Sequence, residues 1–388
     1  MRNIGFIASV KRSLRQIVSR PIYLFTMVAL PLIGGALILT MMEEGLPQPV
    51  PVGLVDMDHS ELSRKVSRTL DMMPTITIEN YFDSFDDANR SVKSGEILGF
   101  IVIEDGLEEK AVAMRQPEIV YYSNFAFYVP ASLVLKGFKT SSTLAQGGLV
   151  KEVLVSMGMP EEKVASTLIP VKTQMHGLGN PWMNYAIYLG NSFLPCMLAL
   201  VILLITSYTI TVEIKHGTSV QWLADAKGSM FIAILGKLLP QTLIFFTVGI
   251  VMQAAMYLYY GFPLNCNPLI MALAMLLLVV ATQSLALIFV CAVPNLRLAL
   301  SVCALLGMLC FSIGGFSFPV SAMYPAIGIF SYIIPIRYYF LIYVDQALNG
   351  IPLYYSRLYF AALLVFPLLS CVMLKRLRKA CEKPVYVP

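Results

Sequence analysis

Six apolar runs recur along the chain with polar stretches between them: Ile22–Met42, Trp182–Val212, Met230–Tyr260, Pro268–Val293, Leu298–Gly315 and Tyr359–Leu374. Each is long enough to cross a hydrocarbon core of about 30 Å as a helix, with some tilt. The pattern predicts an α-helical membrane protein with six transmembrane helices. Pro195 and Pro240 fall inside two of the runs. Neighbouring helices can satisfy the carbonyls they free, so both read as kinks and not as breaks.

Ahead of the first run, Lys11, Arg12, Arg15 and Arg20 stand among apolar residues at roughly helical spacing. This predicts an amphipathic helix over 1–21, lying on the inner membrane face. A signal peptide is the competing reading. The run that follows is longer than a signal core and no small-residue cleavage site succeeds it, so 22–42 is expected to be a retained first span.

Residues 43–181 are the one region of soluble character, and their pattern alternates. Strands are predicted at Pro51–Asp56, Thr75–Tyr81, Leu98–Ile103 and Glu118–Tyr122, with helices at Ser60–Met72 and Ser84–Ser94. That is a small α/β domain. A longer helix is expected from Phe127 to Met157, then an extended piece at Val171–His176 before Asn180-Pro181 ends the region. The cluster Asp56-x-Asp58-His59-Ser60 invites a metal or hydrolase reading. Asp58, three residues before Glu61, is adequately explained as a helix N-cap. No second His or Cys cluster in the region completes a metal site, so no metal is expected.

Between the second and third runs lies Glu213-Ile-Lys-His-Gly-Thr-Ser-Val-Gln-Trp-Leu223. Gly217 can end the upstream helix by entering left-handed geometry. Thr218 and Gln221 have the spacing of a capping box that would start a short new helix carrying Trp222 and Leu223. An acid such as Glu213 at a helix C-terminus opposes the helix dipole unless a cation answers it. Two readings stand: a polar turn with Trp222 at the lipid interface, or a protruding knob that docks a soluble subunit.

Composition agrees with the periodicity and adds orientation. The 388 residues are 57% hydrophobic and 13% charged, too apolar for an ordinary soluble globule. Residues 43–181 carry 12 basic and 19 acidic side chains, a balance of −7, while the remainder carries 16 basic and 4 acidic, a balance of +12. With six spans, the amino-terminal segment, Lys215 and Lys227, Arg297 and the tail from Lys375 to Lys383 share one side. The positive-inside rule makes that side the cytoplasm, with both termini inside and 43–181 extracytoplasmic. The basic residues sit in short clusters beside spans, without a patch interleaved with aromatics, so no nucleic-acid partner is expected. The seven cysteines all fall in or beside apolar runs, which excludes a disulfide framework for 43–181.

Phe316–Arg357 is apolar yet interrupted by Pro319, Pro325, Pro335 and Pro352. It reads as outer re-entrant or interfacial half-helices, tolerable only where protein or water satisfies the backbone. Arg337 and Asp345 are its only charges before Arg357, and ionisable groups at such depth are functional candidates beside a plain snorkelling alternative.

Several of these features together resemble the ABC type-2 transporter permeases, in the subgroup with a large outer domain after the first span. Glu213-x-x-x-Gly217-Thr218, followed by Gln221 and Leu223, resembles that family's coupling motif, although an acid commonly stands where Gln221 is. Val55-Asp56-x-Asp58-x-Ser60-x-x-Ser63-Arg64 resembles the start of the outer domain, and Asn180-Pro181 the entry to the second span. Gly314-Gly315-Phe316-x-Phe318-Pro319, then Pro325, Pro335-x-Arg337-Tyr338 and Gly350, resembles the last outer segment.

The resemblance implies a permease subunit of an ATP-driven exporter in a bacterial inner (plasma) membrane. A cytoplasmic interface helix (1–21) and a coupling helix (213–224) would dock two copies of a separate ATPase subunit. Docking would involve Glu213, Lys215, His216, Gly217, Thr218, Gln221, Trp222 and Leu223, with Lys11, Arg12, Arg15 and Arg20 on the interface helix. A second permease copy, identical or not, would complete the pathway. The membrane domain would cover 182–376, and the outer segment 316–357 would use Gly315, Phe318, Pro319, Pro335, Arg337 and Asp345. A cytoplasmic tail would occupy 377–388. Membrane lipids are partners, and a periplasmic adaptor stays open. No phosphate-binding Gly-x-x-x-x-Gly-Lys-Ser/Thr loop is present; Gly236-Lys237 lacks the earlier glycine and the hydroxyl residue. ATP-Mg is therefore expected on the partner and no cofactor on this chain. A non-transporting receptor or envelope sensor that binds ligand through 43–181 is the alternative.

Overall fold

The computed structural model describes residues 2–43, 49–72, 76–113, 118–125 and 184–384, with a few positions between 115 and 160. The chain forms two compact units, one of Met1–Gly45 with His176–Pro388 and the other of Leu46–Met175. The expected helix at Phe127–Met157 falls largely outside the described residues, and the extended piece at Val171–His176 wholly so.

Arg2–Ser19 is a helix (α1) whose buried positions Gly5, Ser9, Ser13 and Ile17 repeat every four residues, a stripe of mostly small side chains. Lys11, Arg15 and Arg20 are exposed on its other side or just past its end. Arg20 is extended and breaks the helix, and Pro21 opens the first candidate span, Pro21–Met41 (α2), which contains a π-helical stretch at Phe25–Ala29.

The inserted unit is a four-stranded sheet of order β2-β1-β3-β4, built from Val50–Asp56 (β1), Ile76–Phe82 (β2), Gly99–Ile103 (β3) and Ile119–Ser123 (β4). β1 pairs parallel with β2 and β3, and β4 closes the sheet antiparallel to β3. Helices Glu61–Asp71 (α3) and Phe85–Ser94 (α4) make the crossovers, and Leu107–Val112 (α5) is a short helix the sequence pattern does not predict. β1 and β3 are buried almost throughout because apolar clusters cover both faces of the sheet, one around Val52, Leu54 and Ile101, the other around Val55, Phe100 and Val102.

Asp58 does not cap α3. Ser60 does, its hydroxyl accepting from the Ser63 N–H at 2.9 Å. The Asp58 carboxylate instead accepts from the N–H groups of Leu107 and Glu108 at the start of α5, at 2.9 and 3.3 Å. Burial opposes its charge, but hydrogen bonds from Ser60 and from the backbone of Glu108, Leu107 and Gly106 outweigh it and hold the carboxyl below its ordinary value. Asp56 is likewise consumed locally, accepting from the amides of Asp58 and His59 and from the Ser63 hydroxyl.

The other unit continues with Tyr185–Lys215 (α6), Ser219–Asp225 (α7), Met230–Tyr259 (α8), Pro268–Ala292 (α9), Leu296–Ile313 (α10), Pro325–Ser331 (α11), Pro335–Leu348 (α12) and Leu353–Glu382 (α13). Among the described residues, six helices are long and apolar enough to cross a membrane: α2, α6, α8, α9, α10 and α13. The helices run on through Pro195 and Pro240. α6 and α9 form the centre, with about 70% of their apolar windows buried, whereas α2, α10 and α13 bury under 30% and turn leucines, isoleucines and valines outward. Outward apolar faces cost nothing where the surrounding solvent is hydrocarbon.

α11 and α12 are bent by 79° against each other, a broken span or a re-entrant pair. Residues 377–382, expected as part of a tail, instead continue α13, with Leu377 and Cys381 buried.

Candidate functional site

Four helices converge on one carboxylate. Glu213 stands in the last turn of α6, is 1% exposed, and accepts from donors on three separate elements. Lys237 of α8 donates to Oε1 at 2.6 Å, Gln16 of α1 to the same oxygen at 2.6 Å, and Arg12 of α1 to Oε2 at 3.0 Å. The Thr218 hydroxyl, at the start of α7, donates to Oε2 as well. An acid at a helix C-terminus needs such compensation twice over, against the dipole and against desolvation.

The cations are themselves shared. Arg12 also donates to Asp225 at the far end of α7 at 2.8 Å and to the Thr218 carbonyl at 3.4 Å, so one guanidinium spans the length of the short helix. Lys237 is 2% exposed, and its ammonium lies 4.6 Å from the centre of the Trp222 ring, a cation–π contact on its remaining side. Lys237 thus belongs to a packed, neutralised pair, and Gly236 beside it serves packing. A β-carbon at Gly236 would come within 2.5 Å of the Ser9 side chain, so only glycine lets α1 lie this close to α8. Hydroxyls then seal the contact: Ser9 donates to the Ala233 carbonyl at 3.2 Å and Ser13 to the Lys237 carbonyl at 2.8 Å.

α7 forms as the sequence predicts, but its start differs. Gly217 ends α6 at φ +67°. Thr218 makes no capping bond to its own helix: its backbone is helical where a capping residue is extended, and its hydroxyl points toward Glu213, to which it donates. The expected Thr218–Gln221 capping box is therefore absent. The helix closes on a Schellman motif: Lys227 adopts φ +54°, the Gly228 N–H donates to the Leu223 carbonyl and the Lys227 N–H to that of Ala224.

Trp222 and Leu223 do not protrude. They are 1% and 7% exposed and pack with Ile214, Met230, Ile234, Leu377 and Cys381. The Ser219 hydroxyl adds a bond to the Cys381 carbonyl at 2.9 Å, which ties α7 to the end of α13. The exposed face of this region consists of Lys215, His216, Gly217, Val220, Gln221 and Ala224.

The candidates expected in the segment 316–357 form no comparable assembly among the described residues. Gly315, at φ +91°, leaves room for Arg337, whose Nη1 would stand 3.0 Å from any β-carbon there. Arg337 lies over the Tyr332 ring at 5.0 Å. Asp345 accepts from the Ser356 hydroxyl at 3.0 Å, and no ion pair joins these two charges among the described residues. Pro335 is buried at the first turn of α12, while Phe318 and Pro319 are exposed.

Lys237, Gln16 and Asp225 are the participants that the sequence motif omits. A lone lysine inside an apolar run is the one signal that pointed to the first. No group of His, Cys, Asp and Glu among the described residues is arranged to hold a metal ion. No curated protein matches the chain. A family model for the ABC-2 family transporter proteins matches residues 21–374, from the first span to the last, and the chain belongs to that family of membrane transport components.

Proposed function

We propose that this permease is driven by a separate ATPase subunit that docks on the exposed face of α7, and that two permease copies form an export pathway across a bacterial inner membrane. The basic helix ends then face the cytoplasm and the sheet unit lies outside. The observation that carries this reading is the two-sidedness of α7. One face, with Val220 and Gln221, is exposed. The other is bolted to α1, α6, α8 and α13 through Glu213, Arg12, Trp222 and Ser219.

A push on α7 is transmitted because its contacts are short, buried and multiple. A rotation of α7 displaces Glu213 at the end of α6 and Lys237 on α8 together, so two spans move as one lever. Trp222 and Leu223 act as internal bolts and not as the docking knob. Such packed junctions move between discrete arrangements and do not deform continuously. Hydrolysis stays with the partner, which carries the ATP-Mg.

The test is a charge on the exposed face of α7. Val220→Glu, at a position 49% exposed, is expected to leave expression and thermal stability within about 0.5 kcal/mol of the parent. It is expected to abolish co-purification of an ATPase subunit. Undiminished co-purification and nucleotide-driven transport in this variant would remove the docking claim.

A further inference from the structure

A groove of about 570 Å³ opens between α2, α6 and α10, lined among others by Ile22, Tyr23, Ile205, Tyr208, Ser301 and Ala304. Its volume falls in the roughly 300–1,000 Å³ range of small-molecule sites, but its lining is almost wholly apolar and includes no acid. All three walls come from the basic ends of their helices: the first turns of α2, the last three turns of α6 and the first turns of α10. An apolar trough at that level meets the boundary between acyl chains and headgroups.

The polar groups gather at one end. The Arg20 guanidinium faces the Tyr23 hydroxyl, and the Tyr23 and Tyr208 rings stand 5.9 Å apart. Arg297 lies one turn before Ser301, whose hydroxyl donates to the Arg297 carbonyl at 3.0 Å. Arg20 and Arg297 are exposed, and neither forms an ion pair with an acid among the described residues. Glu213, the nearest acid along α6, is already held by Arg12, Lys237, Gln16 and Thr218. Two exposed cations that lack an ion-pair partner among the described residues thus adjoin the lining, Arg20 against Tyr23 and Arg297 one turn before Ser301, beside a trough that accepts hydrocarbon.

We infer that this groove binds an anionic lipid, its acyl chain between α6 and α10 and its headgroup at Arg20 and Arg297. A zwitterionic lipid would fill the same trough without answering the two cations. A lipid face lacking a specific site would accept both equally. Basic residues beside an anionic surface each favour binding by a factor of about five. The inference stands whether or not α7 docks an ATPase, because it needs no nucleotide and no partner.

The experiment uses the full chain in nanodiscs doped with diazirine-bearing phosphatidylglycerol or the matching phosphatidylcholine, with labelled peptides mapped by mass spectrometry. The expected result is labelling within 204–208 and 300–304, at least fivefold stronger with phosphatidylglycerol. Arg20→Gln is expected to cut that preference about fivefold, and Ala304→Trp to remove labelling of 204–208 by filling the trough. Equal labelling by the two lipids, or an unchanged preference in Arg20→Gln, would overturn the site. So would absent labelling together with a Ser301→Cys disulfide between two copies, which would assign the groove to a second permease.

Discussion

The two ends of the membrane unit handle ionisable groups in opposite ways. At the junction around α7 Glu213, Arg12, Lys237 and Asp225 form one connected cluster, with the two central groups 1% and 2% exposed. In α11 and α12 Arg337 rests on an aromatic ring and Asp345 on a serine, each half-buried and without an ion-pair partner among the described residues. A buried charge is tolerable only when paired and hydrogen-bonded, whereas a half-buried one can keep part of its hydration. The first arrangement therefore has the character of a rigid coupling between helices. The second leaves its helices free to shift without breaking an ion pair.

The largest expected effect separates the two partners of the Glu213–Lys237 pair. Glu213→Ala leaves Lys237 buried with no countercharge, and breaking a buried pair this way costs about 3–5 kcal/mol. Lys237→Met leaves Glu213 still held by Arg12, Gln16 and Thr218, so its cost is expected nearer to about 1–3 kcal/mol. Thermal unfolding of the purified chain measures both. Equal losses would mean that Glu213 is not the countercharge on which buried Lys237 depends, and the picture of one carboxylate organising the junction would fail.

A smaller effect tests the close approach of α1. Gly236→Leu forces a side chain into the space of Ser9 and the Val10 backbone, where overpacking costs about 1–3 kcal/mol. The strain falls on one interface, so limited proteolysis should cut α1 free before the spans are attacked. Protection of α1 equal to that of the parent would show that the contact is looser than the distances imply.

How much of this was legible beforehand depended on sequence range. The four strands and the helices α3 and α4 of the inserted unit lie within a residue or so of the boundaries read from alternation, because strand and helix periods are local signals, whereas α5 escapes the pattern and the cap of α3 falls on Ser60 instead of the expected Asp58. The break at Gly217 and the short helix after it were legible for the same reason. The junction was not. Glu213 meets Arg12 across 201 residues and Gln16 across 197, and no periodicity reports a pairing at that separation. The expected Thr218–Gln221 capping box fails for a local reason: Thr218 has helical backbone angles, and its hydroxyl turns back to donate to Glu213, five residues upstream. Trp222 was misplaced because a tryptophan beside a span suits a lipid interface and a helix junction equally well; only the third dimension distinguishes them. The family match from residue 21 to 374 agrees with the coarse resemblance but begins after α1, the element that supplies Arg12 and Gln16.

The smallest effect is expected in α12. Asp345→Asn keeps an oxygen that can accept from Ser356 and removes a charge that no described cation answers, so the loss should stay below about 1 kcal/mol. The same neutralisation at the junction around α7, Glu213→Gln, removes the countercharge of two cations and should cost several times more. Measuring both by thermal unfolding in one lipid and one buffer turns the contrast into a ratio. A ratio near one would place a hidden partner at Asp345, and α12 would then be as firmly locked as the junction around α7.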